Sequence, residues 1–234
     1  MSTLRVDARF CGPPGIANGG YFAGIVSSHA AQVVRVRLRV PIPLDTDLQL
    51  TTLADGSFEL HHGDSLLATA KPDALQIDVP AAPAYLDALQ ASKRYIAFKD
   101  HPYPGCFVCG TARARGDGLR IFAGATGGGD LVAAPWVPDP SLAKDDGKVA
   151  AEFMWAAMDC PGYFAALSHT VPMLLGEFTA HVDRRVHVDE PCVVVGWRIA
   201  HEGRKHTVGT ALFDEDGELC GRARAVWITK VSVR

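Results

Sequence analysis

The chain carries a weak internal repeat: one order of elements, a short apolar helix followed by four strand-like runs, occurs twice. In the second half a buried helix is predicted over 150–166, and Pro161 and Gly162 are expected to kink it or end it early. In the first half a helix rich in small residues is predicted over 19–31. The predicted strands are 32–41, 47–54, 57–62 and 65–71 in the first half and 173–187, 192–201, 205–213 and 218–229 in the second, with leading strands at about 3–10 and 119–136.

The run over 32–40 shows the clearest strand pattern, because apolar and basic residues alternate along it. The residues predicted to share its buried face are Val34, Val36, Leu38 and Val40, and those predicted on its solvent face are Arg35, Arg37 and Arg39. These arginines, and Arg184 and Arg185 in the second half, could bind phosphate groups. Simple solvent exposure of a strand face is the preferred interpretation.

A helix followed by long antiparallel strands suggests how the two halves are arranged. A single curved sheet around one helix leaves a long edge unpaired, and two such units pairing edge to edge cover it. We therefore predict an α+β fold with two tandem units, each an antiparallel sheet wrapped around one central helix. The predicted domains are residues 1–80 and 106–234, with a Pro- and Ala-rich linker over 81–105 that contains a short helix near residues 84–92.

Composition and charge exclude several classes of protein. Hydrophobic residues make up 48% of the chain, enough for a substantial core, and 23 basic against 26 acidic residues give no basic excess for binding nucleic acid. No apolar run reaches the length of a transmembrane span, and the first residues do not resemble a secretory signal. The expected location is the cytoplasm.

The six cysteines are expected to be reduced thiols, because the cytoplasm is a reducing compartment. Cys106 and Cys109 form the only paired spacing, and a zinc site would need a second pair. His101 and Cys160 could be recruited in space, but a structural turn is the preferred interpretation of the pair. We therefore predict no metal.

Several short motifs resemble the thioesterase superfamily of hotdog-fold proteins. The segment Cys106-Phe-Val-Cys-Gly110, followed by Gly118-Leu119, looks like the lead-in of many of its members. Asn18-Gly19-Gly20 resembles their His-Gly-Gly signature, and Trp155-Ala-Ala-Met-Asp159 resembles the helical segment whose acid lies nine residues after the signature His. The resemblance implies a double hotdog, with one chain supplying both units.

Each half departs from the family pattern, and the departures are complementary. Asn18 stands where the first half should have His, and Ser27 stands where the acid should follow. The second half has the acid, Asp159, but Ala150 occupies the position of the His. Because hotdog active sites draw residues from two units, the resemblance implies one composite site and one degenerate site.

The resemblance also implies an acyl-CoA thioesterase, an activity of fatty-acid metabolism, and assigns roles at the composite site. Gly19 and Gly20 N–H groups would stabilise the oxyanion at a helix N-terminus, Asn18 would hold water or the carbonyl, and Asp159 would be the general base or the nucleophile. Further substrate contacts are predicted at Tyr21, Ser27, Trp155 and His169. Each feature also has a structural interpretation, such as a turn at Gly19-Gly20 or a cap at Asp159.

Two alternatives stay open: a hotdog dehydratase or hydratase, and a non-catalytic module that binds acyl-CoA or lipid. The absence of His at both helix entrances disfavours the first. The expected ligand is a small acyl thioester, with coenzyme A as part of the substrate and no separate cofactor. We expect no nucleic-acid partner and leave a homodimer open.

Overall fold

The structure is a computed structural model that describes residues 2–128, 130–166 and 169–230. Its α-helices are α1 Gly19–Ser27, α2 Tyr85–Ser92, α3 Ala151–Ala157 and α4 Cys160–Ala166. Its strands are β1 Ser2–Leu4, β2 Val34–Leu38, β3 Leu48–Thr52, β4 Phe58–His62, β5 Ser65–Pro72, β6 Gly124–Ala125, β7 Leu131–Trp136, β8 Met173–Val182, β9 Cys192–Glu202, β10 Lys205–Phe213 and β11 Leu219–Thr229.

All the strands of the described ranges belong to one large antiparallel sheet. Their order is β1-β3-β4-β5-β2-β8-β11-β10-β9-β7-β6, so the strands of the first 80 residues form one side and the later strands form the other. From its outer edge inward, the first side begins with the leading strand β1. The second, third and fourth strands after the helix follow (β3, β4 and β5), and the first strand after the helix, β2, lies innermost. Apart from the short edge strand β6, the second side has the same order: β7 leads, β9, β10 and β11 follow, and β8, the first strand after the helix, lies innermost.

The two sides meet where β2 pairs with β8, the first strand after each helix. The register places Val36 opposite Phe178, with Arg35 opposite Thr179 and Arg37 opposite Glu177 on either side. Val36 and Phe178 are fully buried, and the Arg37 guanidinium lies 3.1 Å from the Glu177 carboxylate. The join therefore combines main-chain pairing, apolar burial and an exposed ion pair.

The inner face of the sheet holds the helices of both halves. Helix α1 packs against α3 and also contacts β2 and β8, whereas α4 packs against β9 and β10. One apolar core runs through both halves, and it includes Phe22 and Leu50 from the first and Met154 and Phe178 from the second. The site described below lies where α1 meets the α3–α4 junction.

Helix α2, in the predicted linker, covers the outer face of the second side of the sheet. Ala88 and Ala91 are fully buried there against Val195 and Ala211. The linker is therefore packed onto the sheet over this stretch. The predicted domain boundaries themselves stay a prediction.

Several predicted elements are shorter than expected. The leading strand expected over 3–10 is limited to β1, and a 3₁₀ turn occupies Ala8–Phe10. Helix α1 ends at Ser27 rather than at residue 31. No helix of the described ranges is both long and apolar enough to cross a membrane.

The prediction that Val40 continues the buried face of the first strand is wrong. Strand β2 ends at Leu38, and the N–H groups of Arg39 and Val40 both turn to one acceptor, the Leu67 carbonyl. Because both N–H groups donate to the same oxygen, the regular pairing of β2 with β5 stops here. The alternation of buried and exposed side chains ends with it. Val40 is 43% exposed.

Candidate functional site

Asp159 lies in a two-residue break between α3 and α4. The predicted kink is present, but it precedes Pro161, and α4 continues through Pro161 and Gly162. Proline has no N–H and its ring clashes with the carbonyl four residues earlier, so it is tolerated in the first turn of a helix and not in an interior. Because Pro161 is the second residue of α4, the helix must be interrupted just before it. The interruption leaves Asp159 immediately before the first residue of α4.

Asn18 is the N-cap of α1, and the cap explains why the helix begins at Gly19. Its side-chain oxygen accepts a hydrogen bond from the Tyr21 N–H at 2.9 Å, which satisfies one of the unpaired donors of the first turn. The same side chain is 2% exposed. Its amide nitrogen is therefore held in a fixed direction inside the protein.

The amide nitrogen of Asn18 donates to Asp159. The Asn18 Nδ2 to Asp159 Oδ2 distance is 2.8 Å, and the Gly20 N–H donates to the same carboxylate oxygen at 3.0 Å. These groups come from opposite halves of the chain and meet in the interior. The structure thus brings together the two partial motifs that the sequence analysis expected to share one site.

The environment of Asp159 alters its acidity. Asp159 is 1% exposed, and burial raises its pKa to about 7, although the hydrogen bonds from Gly20 and Asn18 act in the opposite direction. Its second oxygen, Oδ1, is buried and has no hydrogen-bond partner within the described part of the chain. A buried carboxylate oxygen without a donor is costly, which is typical of a site that accepts a ligand or a water molecule.

The two glycines of the Asn18-Gly19-Gly20 motif have different roles. The expectation that both N–H groups would face a substrate does not hold for Gly20, whose N–H is engaged by Asp159. A Cβ on Gly20 would lie 2.5 Å from the Asp159 Cβ, so only glycine allows the two segments this close. The Gly19 N–H has no acceptor among the described residues, and Gly19 lines the neighbouring cavity.

That cavity has a volume of about 300 Å³ and is formed by both halves of the chain. Asn18, Gly19 and Asp159 lie on its wall, and Asp159 is the only carboxylate among the described residues that line it. The rest of the wall is mostly apolar and includes Leu38, Ile42, Tyr163, Phe164, Met173, Leu175 and Trp227. The cavity is therefore suited to an apolar group that carries one polar function at Asp159.

Sequence reasoning missed two polar side chains of this wall. The Tyr103 hydroxyl and the Trp227 indole N–H are buried and have no partner within the described ranges. Tyr103 lies between two prolines in a segment interpreted as a linker, and Trp227 lies in a strand whose alternation indicates only a buried face. Among the described residues that line the cavity, three buried side-chain polar groups thus have no partner, counting Asp159 Oδ1.

Three basic residues, Arg39, Arg204 and Lys230, also line the cavity, and their side chains are exposed to solvent. Of these, only Arg39 belongs to the arginines singled out from the sequence. Arg37 instead pairs with Glu177 on the surface, as the solvent-face interpretation expects. The basic residues give the cavity a positively charged opening beside an apolar interior.

The four further substrate contacts predicted from the sequence do not line the cavity. Tyr21 is buried and stacks on Phe10 with ring centroids 4.1 Å apart. The Ser27 hydroxyl donates to the Gly24 carbonyl, Trp155 packs edge-on against Phe178, and His169 is exposed. Ser27 therefore bonds within its own helix, and Trp155 packs in the core. The spacing of these residues in the sequence could not distinguish such structural roles from a role in binding.

Comparison with solved structures agrees with the architecture, whereas comparison with known sequences finds no match. No protein-family model matches the sequence, and the search of curated proteins gives no match. Among solved structures, a tesB protein from Mycobacterium avium subs paratuberculosis has a TM-score of 0.60 at 14% identity, with 98% of this chain and 92% of that chain covered.

Two further structures match over a similar extent. A putative thioesterase from Novosphingobium aromaticivorans has a TM-score of 0.61 at 11% identity, with 98% of this chain and 95% of that chain covered. A conserved protein of unknown function with a hot dog fold, from Alicyclobacillus acidocaldarius, has a TM-score of 0.59 at 13% identity, covering 99% and 93%.

The chain therefore has the hotdog fold. It shares that fold, over nearly its whole length, with proteins described as thioesterase and tesB. The resemblance inferred from the sequence motifs is thus confirmed at the level of the fold.

Proposed function

We propose that this protein hydrolyses an acyl-CoA thioester at a single composite site formed by two tandem hotdog units. The matching strand order of the two sides of the sheet supports the tandem arrangement. The observation that carries the proposal is the joining of Asn18, Gly20 and Asp159 across the halves, with Asp159 Oδ1 left without a donor beside an apolar cavity. The acyl chain would occupy that cavity.

The donors around the cavity suit the tetrahedral intermediate of thioester hydrolysis. The Gly19 N–H, at the positive end of the α1 dipole, would donate to the thioester oxygen as it gains negative charge. The Tyr103 hydroxyl is a second donor on the same cavity wall. One such donor is typically worth about 3–4 kcal/mol of transition-state stabilisation.

Asp159 would supply the general base. Its Oδ1 takes a proton from water, the water oxygen bonds to the carbonyl carbon, and the C–S bond then breaks. The proton passes from Asp159 to the departing thiolate, so the products are a carboxylic acid and a free thiol. Because Asp159 is 1% exposed, the reacting water must enter through the cavity with the substrate. The hydrogen bonds to Oδ2 fix the carboxylate while Oδ1 reacts.

The basic opening of the cavity supports coenzyme A as the thiol part of the substrate. Arg39, Arg204 and Lys230 are exposed cations on a mostly apolar cavity, and the phosphates of coenzyme A carry several negative charges. A substrate with an apolar acyl group at one end and phosphates at the other would match both properties. Acyl-CoA has this distribution of charge.

The proposal is tested by hydrolysis of a panel of acyl-CoAs with detection of the released thiol. We expect turnover by the native chain and a loss of kcat by about 10²–10⁴ in Asp159→Asn, which removes the base but keeps an oxygen to accept from Gly20. The matched control is Asp145→Asn, an exposed aspartate outside the cavity, which should leave kcat unchanged.

Three outcomes would contradict the proposal. Acyl-CoA binding without turnover would identify a non-catalytic acyl-CoA-binding protein, and equal activity of Asp159→Asn and the native chain would remove Asp159 from the mechanism. Hydration of an enoyl-CoA without hydrolysis would favour a hydratase. No observation on the described residues favours a hydratase, since both ring nitrogens of His101, the only histidine among the described cavity residues, already have hydrogen bonds.

A further inference from the structure

Three thiols from two distant segments meet at the wall of the cavity. Cys106 and Cys109 come from one loop, and Cys160 is the first residue of α4. Their Sγ atoms all lie within 4.8 Å of one another, and the Cys106 to Cys160 Sγ distance is 3.7 Å. The three side chains are 4%, 4% and 5% exposed, and all are free thiols. The role proposed for the site uses none of them.

The spacing of these sulfur atoms fits coordination of one metal ion. Zinc binds cysteine sulfur at about 2.3 Å with tetrahedral geometry, which places two ligand sulfurs about 3.8 Å apart. The observed 3.7 Å between Cys106 and Cys160 is close to that edge. Soft thiolate ligands also select zinc over magnesium or calcium.

The loop that carries the cysteine pair is held firmly in this shape. The Gly110 N–H donates to the Cys106 carbonyl at 2.9 Å, and a Cβ on Gly110 would lie 2.4 Å from that oxygen. The Tyr95 hydroxyl donates to the Cys109 carbonyl at 3.1 Å. Hydrogen bonds around a ligand loop orient the first ligands, as in established metal sites.

Metal binding would also settle the charge of the three buried thiols. Zinc binds cysteine as the thiolate, so a cation at the centre of the group would favour release of the thiol protons.

We propose that Cys106, Cys109 and Cys160 bind one Zn²⁺ ion, with the fourth coordination position facing the cavity. All three cysteines line that cavity, so the fourth ligand would be water or a small thiol that enters it. His101 is the nearest alternative by sequence, but its ring nitrogens are occupied by the Cys109 carbonyl at 3.0 Å and the Tyr103 N–H at 2.9 Å. The site does not depend on the proposed hydrolysis.

The test is titration of the chelator-treated, reduced full chain with Co²⁺, followed by competition with Zn²⁺. We expect one Co²⁺ per chain, with the sulfur-to-metal charge-transfer and tetrahedral ligand-field absorption of a thiolate site, and displacement of that signal by Zn²⁺. Zinc should also protect three of the six thiols from a thiol-specific reagent. This second measurement needs no variant, so it remains informative if a substituted chain folds poorly.

Variants then locate the site. Cys160→Ser and Cys109→Ser should lose the charge-transfer band, whereas Cys192→Ala, a buried cysteine outside the group, should keep it. Three results would overturn the proposal: no Co²⁺ or Zn²⁺ bound by the fully reduced chain, metal binding unaffected by Cys160→Ser in a folded protein, or a disulfide among these cysteines in protein purified without oxidant.

Discussion

The Asn18 side chain makes two hydrogen bonds that serve different purposes, one as the cap of α1 and one to Asp159. Asn18→Ala removes both, so we expect the free energy of unfolding to fall by about 1–2 kcal/mol from the lost cap. Loss of a donor to a buried carboxylate adds to that decrease. Urea denaturation measures the change.

Asn18→Ser is the matched variant that separates the two purposes. Serine is a good N-cap but is too short to replace the amide at Asp159. We therefore expect Asn18→Ser to regain most of the native stability and to hydrolyse its substrate more slowly than the native chain. If Asn18→Ser restores full activity, the hydrogen bond to Asp159 has no positioning role. If it does not restore stability, capping is not the reason that Asn18 stabilises the fold.

At the scale of elements, the contact between α1 and α3 depends on a second glycine. A Cβ on Gly24 would lie 2.7 Å from the Glu152 Cα and 2.9 Å from the Trp155 Cβ, so Gly24→Ala must push the helices apart. We expect a loss of about 1–3 kcal/mol from overpacking, despite the higher helix propensity of alanine. Thermal or urea unfolding gives the value.

Gly105→Ala is the control for this substitution. Within the part of the chain that the structure describes, no atom lies within 4 Å of a Cβ added to Gly105, so the change should stay within about 0.5 kcal/mol. A Gly24→Ala chain as stable as the native one would show that α1 and α3 have room to separate. The Asn18–Asp159 contact would then tolerate movement between the helices.

At the scale of the molecule, the continuous core predicts that the two halves unfold together. The four tryptophans, Trp136, Trp155, Trp197 and Trp227, all belong to the second half, whereas far-UV circular dichroism reports both halves. We therefore expect fluorescence and circular dichroism to give coincident urea transitions. Two separated transitions would contradict a shared core.

Phe178→Ala tests joint unfolding of the two halves at the join between β2 and β8. Phe178 is fully buried, pairs with Val36 across the join of the sheet and contacts Trp155. Its truncation should lower the free energy of unfolding by about 3–5 kcal/mol and shift both signals to the same new midpoint. A shift of the fluorescence transition alone would show that the first half is stable without the second.

Local patterns in the sequence predicted most of the strands. Alternation and Gly-bearing turns placed β9, β10 and β11 within one or two residues, because these strands pair with sequence neighbours through short connections. The pattern failed at Val40, where a hydrogen bond to distant Leu67 ends β2. Alternation describes which face a side chain would take, and long-range pairing decides where the ladder stops.

The sequence by itself also led to the prediction that two incomplete motifs complement each other, since Asn18-Gly19-Gly20 occurs in one half of the chain and the acid Asp159 in the other. Only the tertiary structure decided that Gly20 binds Asp159 while Gly19 faces the cavity, and that Tyr103 and Trp227 have unpartnered polar atoms there. The tertiary structure also decided that three cysteines, up to 54 residues apart in the sequence, have sulfur atoms within 4.8 Å of one another. Sequence patterns report periodicity along the chain, whereas these properties depend on distances between segments that only the packed helices and sheet fix.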